Sequence, residues 1–284
     1  MPELSFSNQR DWFVGIDSDG CAFDTMESKH KQVFIPQAIA SLGFSDIAGE
    51  YRRTAERVNL CSRTRGANRF EAVAICLDEL RRNPALRERV PDPAPVWEFV
   101  RSGRPLSNDS FESFLPQDPP ELLARILHWS RESNRRIAAE LTEKRPFEGV
   151  AESLAAAHAG ATTMVVSATP ASALDEEWEA AGLLEHIDRV AGQEFGPKRE
   201  QLAAAREAGF APECCLMVGD APGDHAAAEE NGMLFFPIIP GREVESWREF
   251  REEGLSRFLA GTFAGSYEDR LLARYYGALS SDGG

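Results

Sequence analysis

Short apolar runs alternate with helical segments in two separate stretches of the chain, and this alternation restricts its fold more than any other feature. The runs typical of strands lie at residues 12–17, 162–167, 186–191, 214–219 and 234–239. Each of the last four runs is preceded by a helical pattern. These patterns end at Gly160, Gly182, Gly209 and Gly232, and helices often end at glycine. Helical connections of this length join parallel strands, so the pattern predicts an α/β fold with a doubly wound parallel sheet.

The stretch between the first two strands, residues 26–145, has a different character. It carries a net charge of +3, whereas the rest of the chain carries −18. Helical patterns lie at 28–42, 47–58, 69–81, 94–102 and 120–142, and strand signals are few. We therefore predict a helical domain at 26–145, inserted into a core of residues 1–25 and 146–284. Two more helices within 243–279 should pack on that core through aromatic residues, namely Trp247, Phe250, Phe258, Tyr275 and Tyr276.

Composition argues against several classes of partner. The net charge of -15 and the pI near 4.9 should repel nucleic acid phosphates and anionic lipids. The chain has no apolar stretch of about 18 residues that could span a membrane, and residues 1–9 are polar. We expect a cytoplasmic protein with no nucleic acid or membrane partner. The sequence gives no indication of its oligomeric state.

Polar residues follow three of the predicted strands. Asp17 and Asp19 come after the first, Ser167 ends the second, and Asp220 and Asp224 follow the fourth. In an open parallel sheet, ligands bind at the carboxyl ends of the strands, so these residues should converge. Four carboxylates at one edge would repel one another unless a cation lies between them. Mg²⁺ prefers such oxygen ligands, and a scarcity of nearby histidine and cysteine argues against zinc.

These residue types suit phosphoryl transfer. A carboxylate can attack phosphorus and form an aspartyl-phosphate, and a carboxyl two residues later can protonate the leaving alcohol and then activate water. A serine hydroxyl, backbone N–H groups and Lys198, which begins a helix after Gly196 and Pro197, can hold the phosphoryl oxygens. The pattern thus favours an enzyme that handles phosphate esters.

Four segments, in this order, resemble the four motifs of the haloacid dehalogenase superfamily. They are Asp-Ser-Asp-Gly-Cys-Ala-Phe-Asp-Thr at 17–25, Met-Val-Val-Ser at 164–167, Gly-Pro-Lys-Arg-Glu-Gln-Leu at 196–202 and Gly-Asp-Ala-Pro-Gly-Asp at 219–224. The resemblance covers residues 10–25 and 147–240. It implies a Rossmann-like core, and the inserted segment lies where that family places an all-helical cap.

The resemblance also implies roles for the first motif. Asp17 would be the nucleophile and a metal ligand. Asp19 would be the general acid and base, with its backbone carbonyl on the metal. Because Asp19 is present, the motif has the form found in phosphatases and phosphomutases and departs from that of the dehalogenases.

The later motifs would bind the phosphoryl group and the metal. By the resemblance, Ser167 and Lys198 would hold the phosphoryl oxygens. Asp220 would be a direct metal ligand, and Asp224 would bind the metal through water or orient Lys198. Taken singly, each of these residues is also common at helix starts and strand ends, so it is their order that points to the family.

A cluster of arginines in the helical segment offers one more candidate site. Arg63, Arg65 and Arg69 lie close together around Gly66. They could bind a second anionic group of the substrate, or they could be exposed charges on a solvated turn.

The sequence therefore predicts a magnesium-dependent phosphatase that acts on a small phosphorylated metabolite, without naming that metabolite. A phosphomutase acting on a sugar phosphate would use the same residues. A phosphometabolite-binding protein without catalytic activity is a further alternative on the same fold.

Overall fold

A computed structural model describes residues 10–141 and 144–279, which divide into two compact units. The core unit contains residues 10–25 and 144–279, and the helical unit contains residues 26–141. The polar N-terminal residues 1–9 and residue 142, where we predicted a helix to end, lie outside the described residues.

The chain leaves the core unit and returns to it at adjacent points. The N–H of Asp24 donates to the carbonyl of Arg145 at 3.0 Å, and Phe23 pairs with Pro146 in an isolated antiparallel bridge. The core unit resumes at Lys144, two residues earlier than the sequence indicates, because Lys144 and Arg145 are both held by the core.

A five-stranded parallel sheet forms the centre of the core unit. Its strands are β1 (Phe13–Ile16), β2 (Thr162–Val166), β3 (Arg189–Ala191), β4 (Cys215–Gly219) and β5 (Leu234–Pro237). Their order is β3-β2-β1-β4-β5, and every neighbouring pair is parallel. This confirms the predicted sheet. Strand β3 is shorter than predicted, because His186 belongs to a 3-10 turn that precedes it.

In the helical unit, the described residues form helices and connecting turns without any strand. The helices are α1 (Met26–Ser28), α2 (Ile35–Leu42), α3 (Ala48–Glu56), α4 (Arg69–Arg82), α5 (Ala94–Val100), α6 (Asn108–Phe114) and α7 (Glu121–Glu140). A π-helical turn, Lys29–Phe34, joins α1 to α2, and another, Arg57–Cys61, extends α3. Helix α6 was not predicted. It is held by Phe111, which stacks on Phe70 in the core of this unit.

Among the described residues of the core unit, seven α-helices surround the sheet. They are α8 (Val150–Gly160), α9 (Ala171–Ala180), α10 (Lys198–Glu207), α11 (Pro222–Glu230), α12 (Glu243–Glu249), α13 (Leu255–Leu259) and α14 (Ser266–Ala278). A π-helical turn, Phe250–Gly254, joins α12 to α13, so the chain after β5 forms two helical runs, as predicted. Among the described helices, none has both the length and the apolar character needed to cross a membrane.

Alternate residues of the strands face two separate hydrophobic cores. On one face, Val14 and Val165 pack with residues of α8, α9, α12 and α13. On the other, Phe13 and Met164 pack with residues of α10 and α11. Helix α14 contributes Leu271 to the first core and its C-terminal residues to the second. Helices therefore cover both faces of the sheet, which confirms the doubly wound architecture and leaves the carboxyl ends of the strands to carry polar residues.

Candidate active site

An ion-paired group lies at the carboxyl end of β1. Asp17 directly follows this strand, and its N–H donates to the carbonyl of Val218 in β4. The Lys198 ammonium, at the start of α10, lies 2.7 Å from a carboxylate oxygen of Asp17 and 2.6 Å from one of Asp224. One partly buried cation thus joins the residue that follows β1 to residues of α10 and α11. In a poorly hydrated setting these charge-assisted contacts are strong and fix the side chains firmly.

Three carboxylates form a compact buried cluster. Oxygens of Asp17, Asp220 and Asp224 lie within 4.8 Å of one another, and the three residues are almost fully buried. One ammonium, that of Lys198, leaves this cluster with an excess of negative charge. An oxygen-only donor set with this charge fits a hard divalent cation and suits zinc poorly. The residues present can therefore hold the divalent metal that the resemblance implies.

The electrostatics of the cluster are set by burial and by its neighbours. Desolvation raises the pKa of Asp17 well above its usual value, and the nearby Asp224 and Asp220 act in the same direction, while Lys198 opposes them. Burial of Lys198 disfavours its charged form, but Asp17 and Asp224 outweigh that effect and raise the pKa of the amine. Lys198 therefore stays an ammonium, and additional positive charge would favour the ionised form of Asp17.

The turn after β4 depends on a glycine. The carboxylate of Asp224 folds back toward the strand and accepts a hydrogen bond from the N–H of Ala221 at 3.0 Å. A Cβ atom at Gly219 would lie only 2.4 Å from an oxygen of that carboxylate. A side chain at position 219 would displace Asp224, and with it the contact to Lys198. The Gly-Asp-x-x-x-Asp spacing thus has a steric cause.

Asp19 lies just outside the buried cluster and is held by two threonine hydroxyls. Thr25 donates to one of its carboxylate oxygens, and Thr169 donates to the other at 3.2 Å. The intervening chain turns tightly at Gly20, whose φ of 82° favours glycine. Asp19 is partly exposed, and the two hydroxyls fix the orientation of its carboxylate. Both properties suit a group that exchanges protons.

Ser167 ends β2 and is connected to Asp19 through the following turn. Its hydroxyl accepts a hydrogen bond from the N–H of Thr169 at 3.1 Å, and the hydroxyl of the same threonine contacts Asp19. Ser167 is buried and its own N–H donates to the carbonyl of Ala191 in β3. The described structure therefore places all six predicted core-site residues on turns and helix starts at the carboxyl ends of the strands.

Sequence reasoning missed a glutamine that joins two of these turns. The Gln201 amide nitrogen donates to the carbonyls of Ser167, Gly192 and Gly196, at 2.9, 3.1 and 2.9 Å. Its amide oxygen accepts from the N–H of Ser167 at 3.1 Å. Gln201 is fully buried, and its two amide hydrogens serve three acceptors. It therefore fixes the spacing between the Ser167 turn and the turn that leads to Lys198.

Replacing Gln201 by methionine should lower stability far more than an equivalent surface change. Gln201→Met keeps most of the side-chain volume but deprives buried carbonyls of their donor, which costs about 1–3 kcal/mol for each group left unsatisfied. We expect a fall of several degrees in the midpoint of thermal unfolding. Gln193→Met, at an exposed position in the same region, is the control and should leave the midpoint unchanged. Equal midpoints for both variants would contradict a linking role for Gln201.

The three predicted arginines lie in the helical unit and have different surroundings. Arg63 is exposed, whereas Arg65 is buried and donates to the carbonyl of Leu60 at 2.8 Å. The guanidinium of Arg69 donates to Ser130 and Asn134 and lies over the ring of Phe34 at 4.7 Å. Burial lowers the pKa of Arg69 to about 10. A role for these arginines in substrate binding stays a prediction.

Comparison with known proteins identifies the family. The family model of haloacid dehalogenase-like hydrolases matches residues 14–232. A search of curated proteins finds no match. Solved structures that the chain matches include a haloacid dehalogenase-like family protein from Streptococcus pneumoniae, with 14% identity over 84% of this chain and 90% of that one and a TM-score of 0.46. Another is a predicted phosphoglycolate phosphatase from Haemophilus somnus, with 16% identity over 81% and 86% and a TM-score of 0.48.

The family match is independent of these remote structural likenesses. It includes the turns that carry Asp17, Ser167, Lys198 and Asp220, together with the whole inserted helical unit. It also extends over more than half of the chain. The protein therefore belongs to the haloacid dehalogenase-like hydrolases.

Proposed function

We propose that this hydrolase is a magnesium-dependent phosphatase that cleaves a small phosphorylated metabolite through an aspartyl-phosphate on Asp17. The observation that carries the proposal is the contact of Asp17 with Lys198 at 2.7 Å, inside a cluster that also contains Asp220 and Asp224. A carboxylate and a cation side by side can, respectively, attack phosphorus and hold the phosphoryl oxygens. The presence of Asp19 two residues later favours phosphate esters over halogenated substrates.

The first step would form the covalent intermediate. An oxygen of Asp17 attacks phosphorus as the bond between phosphorus and the ester oxygen breaks. Asp19 in its protonated form gives its proton to the departing alkoxide, so the alcohol leaves neutral. The Lys198 ammonium and the Ser167 hydroxyl bind the phosphoryl oxygens as charge moves across them.

The second step would return the enzyme to its starting state. Asp19, now ionised, takes a proton from a water molecule, and that water attacks phosphorus. The bond between phosphorus and the Asp17 oxygen breaks, which releases inorganic phosphate and restores the carboxylate. The hydroxyls of Thr25 and Thr169 keep the Asp19 carboxylate in one orientation through both proton transfers.

Asp17, Asp220 and the backbone carbonyl of Asp19 would hold Mg²⁺, with Asp224 acting through water or through Lys198. The bound ion would neutralise the excess charge of the acidic cluster and of the substrate phosphate. The Asp224 contact to Lys198 at 2.6 Å supports its orienting role. We also propose that the helical unit acts as the cap of this family and that Arg63, Arg65 and Arg69 bind a second anionic group of the substrate.

Mg²⁺ should stabilise the protein by binding to the folded state. A ligand at one hundred times its dissociation constant adds about 2.7 kcal/mol to the free energy of unfolding. We expect a higher unfolding midpoint in millimolar Mg²⁺ than in chelator, and loss of that difference in Asp220→Asn. Asp175→Asn, which changes an exposed carboxylate on α9, should retain it. A wild-type midpoint that ignores Mg²⁺ would argue against a metal site in this cluster.

The proposal is tested by a phosphate-release screen. Purified protein is incubated with a panel of phosphorylated metabolites, with Mg²⁺ and with chelator. Release of phosphate that needs Mg²⁺ and strongly prefers one compound would support the proposal and name the substrate. A fully folded protein that releases no phosphate would shift the assignment to a phosphomutase, which interconverts isomers, or to a binding protein without turnover.

A further inference from the structure

The C-terminal helices contact the backbone of the turns that carry the acidic residues. Helices α12, α13 and α14 follow residue 232, where the family match ends. They nevertheless supply some of the most deeply buried aromatic side chains of the core unit. Trp247 and Tyr275 are both fully buried.

Two of these side chains donate hydrogen bonds to backbone carbonyls near the site. The indole N–H of Trp247 donates to the carbonyl of Cys21 at 2.8 Å, in the turn that carries Asp19. The hydroxyl of Tyr275 donates to the carbonyl of Asp220 itself at 3.0 Å. Each of the two turns that carry the acidic residues is therefore held by one buried donor, the first by Trp247 and the second by Tyr275.

A donor on the Asp220 carbonyl bears directly on the acidic cluster. Three carboxylates whose oxygens lie within 4.8 Å repel one another, and the repulsion favours any backbone shift that separates them. The hydroxyl of Tyr275 opposes such a shift at the residue that contributes one of the carboxylates. Ligand positions that drift by a fraction of an ångström weaken a metal site, because Mg²⁺ demands near-ideal geometry.

We propose that Tyr275 is a positioning residue for the metal site, acting through the backbone of Asp220. This inference rests on the proposed function, since it takes Asp220 to be a metal ligand. The affinity of the core for its divalent cation then depends on α14, a helix outside the segment that matches the family model. Tyr275 itself contacts neither metal nor substrate in this proposal.

A matched pair of tyrosines on α14 provides the test. Tyr275→Phe removes the hydroxyl and keeps the ring, which packs near Phe235 at 6.1 Å between centroids. Tyr267→Phe is the control, because the buried Tyr267 hydroxyl has no hydrogen-bond partner among the described residues. Both variants remove one buried hydroxyl from the same helix.

The measurement is the dissociation constant of Mn²⁺, used as a probe for the divalent site and followed by titration calorimetry without substrate. We expect Tyr275→Phe to raise this constant about 3- to 10-fold, which corresponds to one hydrogen bond. Tyr267→Phe should leave it at the wild-type value. The Mg²⁺ concentration for half-maximal phosphate release should rise in parallel for Tyr275→Phe alone.

Three outcomes would overturn the inference in distinguishable ways. If both variants lower the unfolding midpoint but bind Mn²⁺ like the wild type, Tyr275 only packs. If both weaken Mn²⁺ binding equally, the effect belongs to α14 as a whole and not to the Asp220 hydrogen bond. If the wild-type protein binds no Mn²⁺, the proposed metal site fails together with the inference that rests on it.

Discussion

Asp17→Asn should abolish turnover and leave the protein folded. The amide has nearly the same shape as the carboxylate but does not attack phosphorus, so no covalent intermediate forms. We expect the rate constant for phosphate release to fall on the order of 10⁶-fold, as it does in a serine protease that loses its nucleophile. Because desolvation raises the pKa of Asp17, an uncharged group at this position costs little to bury. The unfolding midpoint should stay within a few degrees of the wild type.

The matched control for this prediction is Asp11→Asn. Asp11 is exposed and lies just before the amino end of β1, whereas Asp17 follows its carboxyl end. It receives the same chemical change far from the acidic cluster, so its turnover should equal that of the wild type. If Asp17→Asn still released phosphate over many turnovers, Asp17 would not be the nucleophile.

Lys198→Met should weaken both the fold and the activity. The ammonium of Lys198 is the partly buried cation between two buried carboxylates, those of Asp17 and Asp224, and removing one partner of a buried ion pair typically costs up to about 3–5 kcal/mol. In a domain of this size such a loss corresponds to a fall of roughly 10 °C in the unfolding midpoint. The loss should be greatest in chelator and smaller in Mg²⁺, since the bound ion offsets part of the missing charge.

Arg199→Met separates this effect from a general loss of basic charge. Arg199 is the next residue of α10, is exposed, and pairs only loosely with Glu200 and Glu230 at 3.7 and 3.5 Å. Exposed pairs of this kind contribute at most about 1 kcal/mol, so its midpoint should hardly move. If Lys198→Met were as stable as Arg199→Met in chelator, the ammonium would not be what holds the acidic cluster together.

The sheet was predictable because its strands carry a strong local signal. All residues of β1 and β4 are buried, so each appears in the sequence as an uninterrupted apolar run. Strand β3 lies at the edge of the sheet and buries only one of its three residues, and its predicted start was accordingly wrong. Helix α6 was missed because it spans only seven residues and contributes one fully buried side chain. Its one local signal is Ser107, whose hydroxyl caps the N-terminus by accepting a hydrogen bond from the N–H of Ser110.

The residues that support the site were less accessible to sequence reasoning. Gln201 directly follows the exposed residues Arg199 and Glu200 in α10, and its burial is explained only by carbonyls that arrive from two distant turns. The aromatic packing of Trp247 and Tyr275 was predicted and is confirmed by their burial. Their hydrogen bonds to Cys21 and Asp220 were not predicted, because no local pattern indicates which distant carbonyl a buried N–H or O–H will reach.

The adjacent exit and return points of the core bear on how this protein can evolve. Asp24 and Arg145 are joined by a backbone hydrogen bond of 3.0 Å, so the ends of the inserted segment require almost no span between them. Segments with neighbouring ends can be lengthened, shortened or exchanged while the host domain keeps its own contacts. The inserted helices and the sheet can therefore accumulate substitutions at different rates. The insertion can be remodelled during evolution while the carboxylates at the carboxyl ends of the strands stay in place.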